Sequence, residues 1–255
     1  LTHSSSNSIT GNEITNNTVG MKLEALSDNN NVYGNRITKN LYAIGLQGSC
    51  NHNNISKNKI ETNGIGIDFF ESCNYNNVSR NNVTNNNYTG IVLYDSSNNY
   101  VSENNITAND EGIKLDSSSN NSISNNNITD NDYAGILLWY LSDNNSVYGN
   151  NITNNNHGID LVDSINNSIY HNNFINNTKQ VYDYAWDHPE TEPSKNIWDD
   201  GYPSGGNFWS DYEERYPNAT EIDDSGLWDT PYVIDADNQD NYPIIPEFPS
   251  FLILP

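Results

Sequence analysis

Residues Asn120–Asp132 read NNSISNNNITDND, with two apolar residues, Ile123 and Ile128, set in a bed of asparagine. Asn is a weak helix former, is depleted in strands and is at home in turns. Alone, the stretch reads as low-complexity sequence. It is instead one copy of a pattern, N-x-[IV]-x-x-N-x-[IVF]-x-x-N, that recurs along the chain. The first apolar position falls at Ile9, Val32, Ile55, Val78, Val101, Ile123, Val147 and Ile169, in steps of 22 to 24 residues. The second falls at Ile14, Ile37, Ile60, Val83, Ile106, Ile128, Ile152 and Phe174. A third apolar patch follows: Gly20-Met21, Ala43-Ile44, Gly64-Ile65, Gly90-Ile91, Gly112-Ile113, Gly135-Ile136, Gly158-Ile159 and Gln180-Val181.

A fixed period in the low twenties means a repeat architecture. A leucine-rich repeat would show an L-x-x-L-x-L frame and a helical leg. Here the apolar positions are β-branched and every segment is short, which favours three strands per turn. Three columns hold Asn in all eight copies, for example Asn76, Asn99 and Asn121; Asn81, Asn104 and Asn126; and Asn86, Asn109 and Asn131. Stacked parallel strands place equivalent residues about 4.8 Å apart. At that spacing one carboxamide donates to the next, giving a ladder. Asn also tolerates the left-handed backbone of a sharp corner, so the reading sets the three columns at the corners. The expected fold is all-β: a right-handed parallel β-helix of about eight coils, about 40 Å long, with a C-terminal aromatic-rich cap.

The coils are similar to the right-handed β-helix repeats of the NosD-like family. They most resemble its archaeal cell-surface branch, in a frame clearest from Ser72 to Leu161, as in NNYVSENNITANDEGIKLDSSSNN. That resemblance implies fold more than activity, because related coils serve lyases, hydrolases, adhesins and accessory proteins. It also raises copper, through the tie of NosD to copper-enzyme maturation. Copper delivery favours Met, His and Cys, and the chain has one Met, two Cys and five His with no close His pair in sequence. A copper role is therefore not expected.

The organisation reads as repeats over 1–183, a capping module over 184–246 and an apolar tail over 247–255, a remnant of a membrane anchor or an assembly strand. The module holds four of the five Trp, and WDDGYPSGGNFWSDY, DTPYVID and DNYPI resemble a module that follows such repeats in archaeal surface proteins. The net charge of −23 excludes a phosphate-neutralising surface, so no nucleic-acid partner is expected. No run is long enough to span a membrane. The chain opens LTHSSSNSIT, without an initiator Met or an apolar leader, and reads as a mature or truncated product.

Cys50 and Cys73 lie one coil apart, and for an exported protein a disulfide between them is expected. Six sequons, at Asn54, Asn77, Asn82, Asn105, Asn127 and Asn151, adjoin inward residues and should point outward as N-glycosylation candidates. In the cap, Asp223, Ser225 and Asp229 form a degenerate calcium-loop pattern and Asp235, Asp237 and Asp240 a second acidic cluster, with no Lys nearby in sequence, so Ca²⁺ is a candidate ligand there. No cofactor is otherwise required.

Aromatics interleave with carboxylates after the third strand: Phe69, Phe70, Tyr94, Asp95, Asp116, Trp139 and Tyr140 form a candidate glycan-binding face. Glu24, Asp68, Asp143, Asp160 and Asp163 add to its acidity. The functional expectation is an extracellular structural or adhesive surface protein. It would assemble head to tail into a filament or sheath, or bind cell-surface polysaccharide. The alternative is a polysaccharide lyase or glycoside hydrolase using the acidic face, which needs paired carboxylates or a base such as Lys or Arg. The basic residues Arg36, Lys57, Arg80 and Lys114 are scattered.

Overall fold

The computed structural model describes residues 1–245. Each coil contributes three strands: in the first coil Ser8–Thr10, Glu13–Thr15 and Val19–Glu24. Equivalent strands of successive coils pair in parallel and in register, giving an eight-, a nine- and an eight-stranded sheet. Ile55, Val78 and Val101 stack in one column, and Ile60, Val83 and Ile106 in the next; all six are fully buried. With β-branched residues on one face of each short strand, these columns are the core. The tail 247–255, read as an assembly strand or anchor remnant, lies outside the described residues.

The third strand departs from strict alternation. Its first, fourth and sixth residues face outward, and its second, third and fifth face the coil, as Thr89–Tyr94 shows with Ile91 and Leu93 buried. The second position packs so closely that a Cβ on Gly90 would lie 2.7 Å from Gly112 O. In the third coil the sequence GIGI offers two registers. Gly64-Ile65 is not the one adopted; Ile67 pairs with Ile44 and Ile91, so Gly66-Ile67 takes the position.

The Asn ladders form in register. Asn81 shows the pattern: its Oδ1 accepts from the backbone N–H and the Nδ2 of Asn58, both at 3.0 Å, and its Nδ2 donates to Asn104 Oδ1 at 3.0 Å and Ile55 O at 2.9 Å. These residues are not the left-handed ones. Positive φ falls one residue upstream, at Tyr75 before Asn76, Arg80 before Asn81 and Asn85 before Asn86. The Asn itself is buried inside the corner. Left-handed backbone costs roughly 1–2 kcal/mol at a non-Gly residue, and the ladder bonds offset that cost at each corner.

A fourth column runs through Ser96, Ser118 and Ser142, each Oγ accepting from the backbone N–H of the coil before it. Cys50 and Cys73 belong to this column. Cys73 Sγ accepts from Cys50 N–H at 3.4 Å, and each thiol donates to a carbonyl in its own coil, Gln47 O or Phe70 O. Both are free and fully buried, which corrects the expected disulfide. In-register stacking keeps the two Cβ vectors parallel and about 4.8 Å apart, beyond the roughly 3.5–4.5 Å that a disulfide takes. The adjoining Cys50 thiol, and then burial, push the Cys73 thiol up. The hydrogen bond with Cys73 draws the Cys50 thiol down to about 7, but both side chains are fully buried, so a thiol reagent should find no accessible cysteine in the folded chain and two after denaturation; a linked Cys50–Cys73 peptide in a non-reducing digest would contradict the ladder.

The C-terminal segment continues the solenoid. Asn167 donates to Asn196 Oδ1 and Asn172 to Asn207 Oδ1, so two of the three ladders run one step beyond the last coil. Phe208–Trp209 joins the second sheet beside Asn173–Ile175. Trp209 stacks on Phe174 at 4.4 Å, and Tyr232 on Trp209 at 4.1 Å, so aromatic rings close the apolar column. Asp240, buried beneath, accepts from Asn207 N–H and the Trp209 indole N–H. An open sheet edge is thereby covered.

Candidate functional site

The outward positions of the third strands form one long face. Its sixth-position column runs Glu24, Gln47, Phe70, Tyr94, Asp116, Trp139. Phe70 and Tyr94 stack at 5.0 Å, and Trp139 meets Tyr140 edge-on at 5.3 Å. The Lys114 ammonium lies 4.9 Å from the centre of the Trp139 ring. Of the residues expected on this face, Phe70, Tyr94, Asp116 and Trp139 share the column. Asp95 and Tyr140 sit at exposed corners just past their strands, with left-handed backbone. Phe69 does not belong: it occupies the inward fifth position between Leu46 and Leu93 and is fully buried.

The fourth-position column contains a concavity. Gly45 places no side chain there, and the gap opens between Lys22 one coil before and Asp68 one coil after. The cleft, about 300 Å³, is walled by Tyr42 on one side and by Gln47 and Phe70 on the other. Two strand spacings, about 10 Å, separate the Lys22 and Asp68 backbones. Burial pushes the Asp68 carboxyl up to about 6. Sequence reading noted Asp68 but not Lys22 or Gly45; the available signal was a glycine at an outward position of a repeat that otherwise carries a side chain there.

Farther along the face, His157 Nδ1 lies 2.8 Å from Asp160 Oδ2. The two are three residues apart yet share the outward side, because the first and fourth positions both point out. Tyr182 stacks on His157 at 4.6 Å and Tyr133 lies 5.4 Å away. Asp160 is fully buried, and among the described residues its Oδ1 has no hydrogen-bond partner. Burial, with the Asp160 carboxylate next, pushes the Tyr133 phenol up. An ionised Asp160 only accepts, so it holds the proton on Nδ1 and leaves Nε2 as the basic nitrogen.

The other expected sites are dispersed. The outward sequon asparagines form a second set of ladders: Asn77 Nδ2 donates to Asn54 Oδ1, Asn105 to Asn82, Asn127 to Asn105 and Asn151 to Asn127, at 2.8–2.9 Å. The amide that would carry a glycan is thus engaged at five of the six positions, Asn82 serving only as an acceptor through its Oδ1. In the cap, Asp229 accepts from Thr220, Asp235 from Asn238, and Asp240 points inward to Trp209. Asp237 is paired with Lys195 at 3.2 Å, a neighbour that sequence distance concealed. Asp223 is exposed, and Ser225 Oγ is buried without a partner among the described residues. Among the described residues no three His, Cys, Asp or Glu side chains converge as a metal site. The donors a copper ion prefers are spread likewise: both thiols face the coil interior, and His157 is committed to Asp160.

Residues 69–214 match the family model described as periplasmic copper-binding protein (NosD), and residues 1–106 the model described as right handed beta helix region. Among solved structures, the chain is similar to the periplasmic alginate epimerase AlgG in a double-mutant form, at 19% identity and TM-score 0.58 over 71% of this chain and 45% of that one. It is also similar to the A-module of the mannuronan C-5 epimerase AlgE4 of Azotobacter vinelandii, at 15% identity and TM-score 0.60 over 68% and 55%. An alginate lyase from a Paenibacillus species aligns at 13% identity and TM-score 0.50 over 66% and 76%. At these identities the likeness is one of fold. The chain spans about half the length of the epimerase structures it matches. The comparison with curated proteins found no match.

Proposed function

The chain belongs to the NosD family of right-handed β-helix proteins, and on that premise we propose that it works outside the cytoplasm as a polysaccharide-binding protein, adhesive rather than catalytic. The supporting observation is the cleft at Gly45, walled by Tyr42 and Phe70 and lined by the half-buried Asp68 carboxyl and by Lys22, whose ammonium is held by Glu24 at 2.6 Å. Sugar rings present an apolar face to an aromatic ring and hydroxyls to polar neighbours, and this cleft offers both partners. The Phe70, Tyr94 and Trp139 column extends the contact over several coils, as a chain ligand requires. The alginate-acting proteins of like fold support a carbohydrate ligand. No helix among the described residues is long and apolar enough to cross a membrane.

Affinity electrophoresis through gels cast with neutral or uronate-containing polysaccharides tests this reading. The chain should be retarded by at least one polymer, and Phe70→Ala should restore free migration. Unchanged retardation of Phe70→Ala would overturn it. Asp68 adds a pH dependence. Its carboxyl, raised to about 6, is charged above that pH and neutral below it. Retention of an acidic polymer should therefore strengthen as pH falls through about 6, and Asp68→Asn should remove that step. Retention that weakens over the same interval would contradict the role of Asp68.

A second reading, acid–base chemistry on a sugar, is favoured by the His157–Asp160 pair. His157 Nε2 would act as the base and Tyr133 as a nearby proton carrier. Release of oligosaccharides from a retained polymer, abolished in His157→Gln, would establish it.

A further inference from the structure

A second cleft, about 460 Å³, lies where the last coil meets the cap. Two of the ten Lys and Arg of this strongly acidic chain line it, Lys179 and Arg215. Elsewhere Lys22, Arg36, Lys59, Arg80 and Lys195 each face a carboxylate within 3.2 Å. Lys179 faces no carboxylate at salt-bridge distance among the described residues; its ammonium lies 4.2 Å from the Tyr182 ring centre. Arg215 lies over the Tyr232 ring at 4.2 Å, donates to Val233 O at 2.8 Å and meets Asp211 only at 3.9 Å. Asp211, the one carboxylate lining the cleft among the described residues, is already engaged by Gln180 Nε2 and by the Tyr232 hydroxyl. At the rim stands Trp186, 43% exposed, its indole N–H donating to Asp235 at 3.3 Å, which fixes the ring.

We propose that this cleft binds a carboxylate-bearing sugar, a uronate residue of an acidic glycan, with the carboxylate between Lys179 and Arg215 and the ring against Trp186. The guanidinium suits a planar carboxylate, the ammonium adds a mobile point charge, and the exposed indole offers the apolar face that a sugar ring takes. The location is consistent with a chain ligand: Lys179 stands beside His157 in the first-position column of the long face, so the cleft is that face's end. The site is separate from the Gly45 cleft and does not depend on it.

Isothermal titration of the full chain with trigalacturonate tests the proposal, with cellotriose as the uncharged counterpart and inorganic phosphate as the simple anion. Trigalacturonate should bind, cellotriose should not, and Lys179→Gln and Arg215→Gln should each weaken binding about tenfold. Trp186→Ala should weaken it with the salt dependence unchanged, whereas Lys179→Gln should flatten that dependence. Tyr148→Ala, a change on a different sheet and outside both clefts, should leave it intact. Because Arg215 also packs on Tyr232, the exposed Lys179 variant decides the matter if Arg215→Gln misfolds. Equal binding of cellotriose, full affinity in Lys179→Gln, or displacement of trigalacturonate by equimolar phosphate would each overturn a uronate site.

Discussion

Replacing Asn81 by Ala is expected to destabilise the chain by about 4 kcal/mol. Four hydrogen bonds disappear with the side chain, two accepted by Oδ1 from Asn58 and two donated by Nδ2 to Asn104 and Ile55. Asn104 Oδ1 keeps the Asn81 backbone N–H, and Asn58 Nδ2 keeps Val32 O. The Asn58 backbone N–H loses its recorded partner inside the corner, while the Ile55 carbonyl falls back on its strand pairing with the next coil alone; a buried unsatisfied group costs about 1–3 kcal/mol and each further lost bond about 1 kcal/mol. The positive φ of Arg80 then has less to hold it. Urea titration followed by circular dichroism reads the effect. Asn82→Ala, one residue along on the outward side, should cost under about 1 kcal/mol, since water replaces its partners. Equal midpoints for the two variants would mean that the ladders do not carry the stability assigned to them.

Gly90→Ala is the second large expected effect. The added methyl would stand 2.7 Å from Gly112 O, 3.0 Å from Ile106 Cγ2 and 3.1 Å from Asn109 Nδ2. All three belong to the next coil, on its second strand, its corner and its third strand, so relief requires the coils to move apart where three ladders fix their spacing. A loss of about 3 kcal/mol or more is expected, at the upper end of overpacking penalties. Gly45→Ala is the control, because its methyl meets only Met21 O, at 4.0 Å, and faces out. It should leave the denaturation midpoint in place while narrowing the Gly45 cleft and weakening polysaccharide retention. A Gly90→Ala variant as stable as the parent would refute the inward assignment of the second position.

What the sequence made legible follows from periodicity. Columns such as Ile55, Val78 and Val101 recur because each coil must bury the same positions, and the Asn columns recur because a ladder needs every rung. The positions that were misread are those where the period alone does not choose. GIGI at residues 64–67 satisfies the pattern twice, and only pairing with Ile44 and Ile91 selects Gly66-Ile67. Phe69 and Phe70 are adjacent aromatics, and which one points out depends on that same register. The third strand's bend puts its first and fourth residues on one side, so His157 and Asp160 meet although simple alternation would part them. In the cap, Asn196 and Asn207 continue the ladders after steps of 29 and 35 residues. Insertions within the partial turn carry them out of period. The two thiols were misread for a different reason: the spacing was right, but a stack in register aligns the Cβ vectors instead of turning them toward each other.

The long face acts as one surface only if its aromatics contact the same ligand. Hydroxyl-radical footprinting of the native chain, read residue by residue by mass spectrometry, tests this with and without a saturating polysaccharide chosen by gel retardation. Reduced oxidation of Phe70, Tyr94 and Trp139 together is expected, with the stacked pair Tyr148 and Tyr170 on a different sheet unchanged. Protection of Tyr148 and Tyr170 with Phe70, Tyr94 and Trp139 unaltered would contradict it.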